Sequence, residues 1–439
     1  MCEAKLARRP LGEIADTNPE TLPQNTSATV RFRYIDLSAV EQGFINWDAV
    51  EETNFAAAPS RARRVVKPLD VLFGTVRPNL QSHGRIGVGE YGSLVASTGF
   101  SVIRSRHGVS HPAYLFHSIM SSQVAAQAVR SAVGSSYPAV NESDVRRLQI
   151  FLPGFLEQER IADVIDTLDT AIHETEAIVA KLKAVKQGLL HDLLTRGIGV
   201  DGELRPPQAE APHLYKESPL GSIPKDWDFA TLEAVSTTVT SGSRDWARFY
   251  ADSGALFVRI GNLTREHINF RLDSTIYVRP PRNADGQRTR LESGDILISI
   301  TADLGIVGVV ADGMGEAYIN QHIALVRPSF SAINPRYVGH YLASPVAQVY
   351  ISKLNDAGAK AGLNLPAVRG LLTARPVRAE QDLIAERLDG IDHRIQNAVT
   401  ESAKLRELKA GLMDDLLTGR VRVAPLLART CKMETERSV

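Results

Sequence analysis

Six polar stretches hold most of the side chains in this chain whose types and spacing could do chemistry. "SRARRVVKP" sets out Arg61, Arg63, Arg64 and Lys67, and "TVRPNLQSHGR" adds Arg77, Asn79, Gln81, Ser82, His83 and Arg85. "RPPRNADGQRTR" carries Arg279, Arg282, Arg288 and Arg290, and "TADLG" carries Thr301. Two shorter loops add Ser135, Ser136 and Tyr137 in "GSSYP", and Lys360 and Asn364 in "GAKAGLN". Arg and Lys grip phosphates, and Arg, Asn, Gln and Ser read base edges. The chemistry on offer is recognition of nucleic acid. Any one stretch reads equally well as a solvated loop. Their recurrence at matching places in the chain favours binding.

Patterns that look catalytic do not hold up in context. "GVGEYG" matches G-x-G-x-x-G through Gly87, Gly89 and Gly92. A dinucleotide site needs a helix directly after it, and "SLVASTGFSVIR" reads as strand. "NPRY" at Asn334 approaches the N-P-P-aromatic motif of amino-methyltransferases, but Arg336 takes the third place and "HPAY" is its paired copy. Both read as helix starts. His107, His111 and His117 cluster, yet only His117 has a counterpart, His340, so a metal site is not supported. The P-loop, H-E-x-x-H and G-x-S-x-G patterns are absent. No self-contained active site emerges.

The elements that must position these loops are written twice. "EQERIADVIDTLD" at Glu157 returns as "EQDLIAERLDGID" at Glu380, 223 residues later. The match runs without a gap to Thr195 and Thr418 and keeps paired aspartates, Asp166 and Asp169 in one copy, Asp389 and Asp392 in the other. Upstream, "YIDLSAV" lies over "FVRIGNL", "STGFSVIR" over "NQHIALVR" and "HPAYLFHSIMSS" over "NPRYVGHYLASP". The chain is a tandem duplication of a globular block followed by a long helix.

Each block has short β-like runs ("RFRYIDL", "DVLFGTV", "FSVIR"; "ALFVRI", "DILISI", "IALVR") broken by Gly, Pro, Asn and Asp, with a helix starting at Pro112 and at Pro335. In the first long helix Ile165, Leu168, Ile172, Thr175, Val179, Leu182, Lys186, Leu189 and Leu193 step by alternating threes and fours. In the second the equivalents are Leu388, Ile391, Ile395, Ala398, Ser402, Leu405, Lys409, Leu412 and Leu416. That is a heptad seam, and a single apolar stripe needs a partner. The nearest partner is the other copy, giving an intramolecular coiled coil. Gly197 and Gly419 are the helix stops. The Pro-, Gly- and charge-rich segment after the first helix reads as a linker. If it carries the chain back, the helices run antiparallel with a block at either end. The fold class expected is α+β: two globular α/β blocks, two long antiparallel helices and a pseudo-two-fold.

The division expected is 1–155 first block, 156–196 first helix, 197–214 linker, 215–377 second block, 378–422 second helix and 423–439 tail. Formal net charge is zero, but residues 1–155 carry 16 basic and 13 acidic groups while residues 156–213 carry 6 and 11. Mildly basic blocks thus alternate with acidic or neutral segments. No apolar run reaches the roughly 18 residues of a membrane span, and the first 20 residues have no signal-peptide core. The two cysteines lie near opposite ends and suit a reducing cytoplasm.

With "DVLFGTVRPNL", "STGF", "NQH", "PLGSIPKDW" and two EQ-led helices ending in "LLT" in order, the whole chain resembles the specificity subunit of a type I restriction-modification system. The resemblance implies two target-recognition domains. Each reads one half of a split, asymmetric sequence in double-stranded DNA. It implies that the helices set the gap and dock two methyltransferase subunits, with restriction/translocase subunits joining. It implies no catalysis by this chain alone. S-adenosylmethionine, ATP and Mg²⁺ belong, by the same resemblance, to the partners. Two departures stand out: the first block lacks the "IPKDW" found at Ile223–Trp227, and the tail after Val423 has no counterpart in the first copy. The rival readings are a two-domain coiled-coil scaffold with no DNA role and a self-sufficient methyltransferase or nuclease. The missing catalytic motifs argue against the second.

Overall fold

The repeated segments form two helices, Phe155–Thr195 of 41 residues and Arg378–Leu416 of 39. At about 1.5 Å per residue each is roughly 60 Å long. The computed structural model describes residues 8–89, 91–280, 284–331, 333–356 and 362–423. Arg282, Lys360 and the tail from 424 lie outside the described residues. All eighteen seam positions are buried or half-buried, while Val164, Ile178, Val185 and Val399 between them are exposed. The first helix ends at Thr195, just before Gly197 at φ +65°, and the second ends at Leu416, short of the expected 422 and three residues before Gly419 at φ +78°.

The chain divides into two compact units: one runs to Glu176 and resumes at Thr400, and the other is Ala177–Val399. The first unit holds the opening half of one long helix and the closing half of the other. There Asp169 is paired with Lys409, and Glu176 with Arg406. In the second unit Lys186 is paired with Asp392, and Glu380 with the backbone of Ile198. In both, one residue number falls as its partner's rises, so the helices are antiparallel.

Each unit carries two four-stranded sheets. In the first unit one sheet runs Ala15–Thr17, Phe100–Ser105, Val71–Gly74, His83–Arg85. Its counterpart in the second unit runs Ser236–Ser241, Ile323–Pro328, Ile296–Ser299, Val307–Val309, in the same order. The other sheet is built on a parallel pair in both units, Arg31–Ile35 with Leu94–Ser97 and Ala255–Val258 with Ala317–Ile319. Here the copies diverge. The first unit adds Ala62–Val66 beside Leu94–Ser97. The second has a short helix, Ala284–Arg288, and a lone bridge from Arg290 to Tyr318.

Both helix ends enter the core of each unit. In the first, Ile161, Ala162 and Ile165 share a cluster with Leu416, Leu417, Val71, Phe73 and Tyr114. In the second, Ile384, Ala385 and Leu388 share one with Leu190, Leu193, Leu194, Ile296 and Tyr337.

The EQ pair that opens each helix explains its own repetition. Gln158 accepts from His111 N and donates to Val109 O and Pro153 O. Gln381 accepts from Asn334 N and donates to Pro376 O. The glutamine thus ties the long helix to the start of the block helix, Pro112–Met120 or Pro335–Ala343. The glutamate instead holds the exit of the other long helix. Glu157 accepts from Arg422 and Val423 N. Glu380 accepts from Ile198 N, Arg205 and Trp227 Nε1. The segment expected to be a linker is therefore packed at Arg205, and Ile198 bridges Leu204.

Candidate nucleic-acid interface

The block helix is fixed to the long helix by a His–Asp contact repeated in both units. His117 Nε2 and His340 Nε2 each lie 2.7 Å from Oδ1 of Asp166 and Asp389. Arg85 joins Asp166, and Arg336 joins Asp389. Burial would raise the Asp389 carboxyl, but its bonds to His340 and Arg336 outweigh this and hold it at about 2. Burial lowers both histidines despite their aspartates. His117, Asp166 and Asp169 have ligand atoms within 4.8 Å of one another. Arg85 and Lys409 supply the positive charge there, so the cluster reads as an ion-paired joint.

With the block so fixed, the loops can be placed. Arg63 and Arg64 lie on the strand Ala62–Val66, with Arg61 and Lys67 at its ends. Arg61 pairs with Asp36, Lys67 with Glu20, and Arg64 donates to Thr21. The Arg63 guanidinium lies 4.6 Å from the Phe55 ring centroid. Exposed pairs of this kind are weak and can re-pair with phosphate. Arg61 and Lys67 are 56% and 54% exposed at their side chains.

The stretch after Val71–Gly74 splits into two roles. His83 is buried, stacks on Phe73 and accepts from Gly74 N through Nδ1. Burial lowers it to about 4. His83 is a core residue, with no surface to offer a ligand. Arg85 faces the long helix through Asp166, Gln81 donates to Met120 O, and Ser82 is half-buried. Arg77 and Asn79 are exposed. The structure brings Arg77 to the other loop of the first block. Arg77 N donates to Pro138 O at 2.7 Å, and its guanidinium lies 4.4 Å from the Tyr137 ring centroid. Ser135, Ser136 and Tyr137 are all exposed.

In the second unit Arg288 is turned back onto its own block, donating to Thr240, Ser241 O and Ser243. Arg279 and Arg290 are exposed. Thr301 Oγ1 lies 2.7 Å from His322 Nδ1. Asn364 caps the short helix Leu365–Arg369 by accepting from Ala367 N. Sequence reasoning missed exposed apolar neighbours of these loops, Leu80 in the first unit and Tyr250 and Tyr277 in the second. The available signal was an aromatic beside a turn-forming Gly or Asp, as in "RFYADSG".

Comparison with known proteins supplies the rest. A family described as "Type I restriction modification DNA specificity domain" matches residues 70–184. The chain is 23% identical over 352 residues to the type I restriction enzyme MjaVIII specificity subunit of Methanocaldococcus jannaschii, covering 78% of this chain and 77% of that one. It is 22% identical over 269 residues to the EcoBI specificity subunit of Escherichia coli, covering 58% and 55%. Among solved structures, the S subunit of a type I system from M. genitalium superposes with a TM-score of 0.60 at 12% identity, covering 95% of this chain and 98% of that one. A chain from a study of type I R-M complex assembly and conformational transition gives 0.51 at 22%, covering 94% and 98%. At these identities the likeness is one of fold.

Proposed function

We propose that this chain, which belongs to the family of type I restriction-modification specificity subunits, reads a bipartite, asymmetric site in double-stranded DNA, one half with each unit. As such a subunit it serves DNA recognition and is a non-catalytic component of its system. The observation that carries the bipartite reading is the duplication itself. One block–helix fold occurs twice, with one sheet in the same order and the same EQ and His–Asp fastenings. What differs lies in the loops and edge elements, such as Ala62–Val66 against Ala284–Arg288. A shared frame with unlike reading loops suits two unlike half-sites.

The two long helices set the gap between half-sites and dock two methyltransferase subunits, and restriction/translocase subunits join that assembly. Support for docking comes from exposed apolar side chains flanking the seam, among them Ile178 and Val185 on one helix and Val399 and Leu408 on the other. A helix of roughly 60 Å matches between one and two duplex turns of about 34–36 Å. S-adenosylmethionine, ATP and Mg²⁺ are carried by the partners. Among the described residues no helix is long and apolar enough to cross a membrane.

The test is a domain exchange. Residues 215–377 are replaced by the corresponding block of another specificity subunit, and methylated sites are mapped in an unmethylated host expressing the methyltransferase partner. One half of the recognised sequence is expected to change while the other half and the gap stay. A change in both halves contradicts the reading.

A further inference from the structure

Among the described residues Arg77 is the one basic side chain carried on a left-handed backbone. It sits at φ 49°, ψ 62°, in the left-handed region that residues with a Cβ avoid. Gln81, at the far end of the same short turn, is left-handed too, at φ 50°. Two such residues bracket Pro78–Leu80, a turn whose Leu80 is 51% exposed. Backbone strain of this kind persists where the surroundings enforce it, and it clusters at functional sites. The enforcement is visible: Arg77 N donates to Pro138 O, Val76 bridges Ala139, and Leu80 N returns to Arg77 O. The side chain is fixed as well. It lies over the Tyr137 ring, itself 68% exposed, and donates one N–H to Ser136 O at 3.3 Å.

The other candidate cations nearby have different duties. Arg61 and Lys67 pair with carboxylates, Arg64 donates to Thr21, Arg63 covers Phe55 and Arg85 holds the long helix. Among the described residues Arg77 has no carboxylate partner. The second unit keeps the backbone device without the side chain. Its equivalent residue is Ala302, left-handed at φ 57°, followed by Asp303 paired with Arg265.

We propose that Arg77 reads a guanine in the half-site bound by the first unit, with Tyr137 as its positioning residue. This rests on the DNA-reading function above. A guanidinium has five donors in a rigid fork, and one here is used by Ser136. Stacking on Tyr137 leaves an edge free for the paired acceptors O6 and N7 of guanine, which no other base presents in the major groove. A phosphate also takes a bidentate arginine, but it is the same at every position of the duplex, so only a base contact makes binding depend on guanine N7. An arginine fixed by a ring and by a strained backbone suits a directional, bidentate contact. Ala302 at the same place makes no such contact, so the second half-site is read by other groups.

The test uses the assembled complex, purified through a tag on this chain, and its mapped duplex site. The first unit's half-site is expected to contain a guanine whose replacement by 7-deazaguanine weakens wild-type binding roughly 5- to 150-fold. Arg77→Gly removes the side chain and relieves the strained backbone, so it folds. It is expected to lose at least that factor on the natural duplex, since the contact to O6 goes too, and to be indifferent to 7-deazaguanine. Arg77→Lys retains the charge and can still reach O6 and N7, but it lacks the planar fork and the stacking on Tyr137, so its preference for guanine is expected to weaken rather than vanish. Tyr137→Phe keeps discrimination and Tyr137→Ala loses it, which a loop-stabilising role alone would not do. The assignment is overturned if Arg77→Gly still discriminates the N7 atom as wild type does, or if that half-site holds no guanine. A wild-type complex with no salt-dependent binding to any duplex overturns the DNA-reading function itself, a distinguishable result.

Discussion

Lys186 Nζ lies 2.5 Å from Asp392 Oδ1, and Lys409, its counterpart in the repeat, holds Asp169, the counterpart of Asp392. The duplication has become a reciprocal pair of cross-helix contacts, one in each unit. They are not equivalent in surroundings. Side-chain exposure is 9% and 2% in the first pair, and 26% and 38% in the second.

That difference decides their energetics. Removing one member of a buried pair leaves an uncompensated charge and costs about 3–5 kcal/mol, whereas a half-exposed pair is screened by solvent and lies nearer the roughly 0–1 kcal/mol of surface pairs. Lys186→Ala is therefore expected to destabilise far more than Lys409→Ala in urea unfolding. Lys186→Met combined with Asp392→Leu should recover most of the loss. Equal effects of the two single changes would show that the surroundings do not set the energetics.

Glu380 serves three donors at once, Ile198 N, Arg205 and Trp227 Nε1. Glu380→Ala leaves Arg205 with only Asp226 and Arg196 O and strands the buried Ile198 N–H, with an expected loss of about 1–3 kcal/mol. Hydrogen exchange should show protection lost first at Ile198 and across 203–227. Unchanged protection there would mean that the helix exit is held by something else.

His83 makes the first unit acid-sensitive. Its folded value of about 4 lies below the ordinary value of 6.5. The unfolded chain therefore binds more protons between these values, and stability falls as pH drops through that window. Between pH 7 and pH 5 the loss from this one residue is about 2 kcal/mol. His83→Gln keeps a side-chain acceptor but does not titrate. Its unfolding free energy should fall less over the same interval, and an identical slope in the variant would contradict the assignment.

Arg61 and Lys67 are exposed and only weakly paired, so they are available to phosphates. Each replacement by Ala is expected to reduce the slope of log affinity against log salt by about 0.9 for the assembled complex on duplex DNA. Thermal stability should change little. Reversing the charge of Arg61, Arg63 and Arg64 together should weaken binding further without unfolding the helical pair. Unchanged affinity at moderate salt would make these residues a solvated face.

The seam, the Pro112 and Pro335 helix starts and the glycine stops were legible because period, proline and glycine act locally. Which residue meets which across the seam was not. Lys409 finds Asp169 only once the helices are antiparallel and in register. The strand at Ala62–Val66 and the helix at Ala284–Arg288 occupy matching places, and only a comparison of tertiary environments tells them apart. Arg205 looked like linker charge because composition does not reveal Glu380, 175 residues away. The candidate interface was legible as residue types. The split of "TVRPNLQSHGR" into a buried His83, a helix-holding Arg85 and a presented Arg77 depends on the path of the backbone.

The most direct test of the central claim is the methylation pattern. The chain is co-expressed with its methyltransferase partner in an unmethylated host, and modified bases are mapped by long-read sequencing. One new motif of two unlike halves separated by a fixed gap of unread bases is expected. A single uninterrupted motif, or two identical halves, would contradict it.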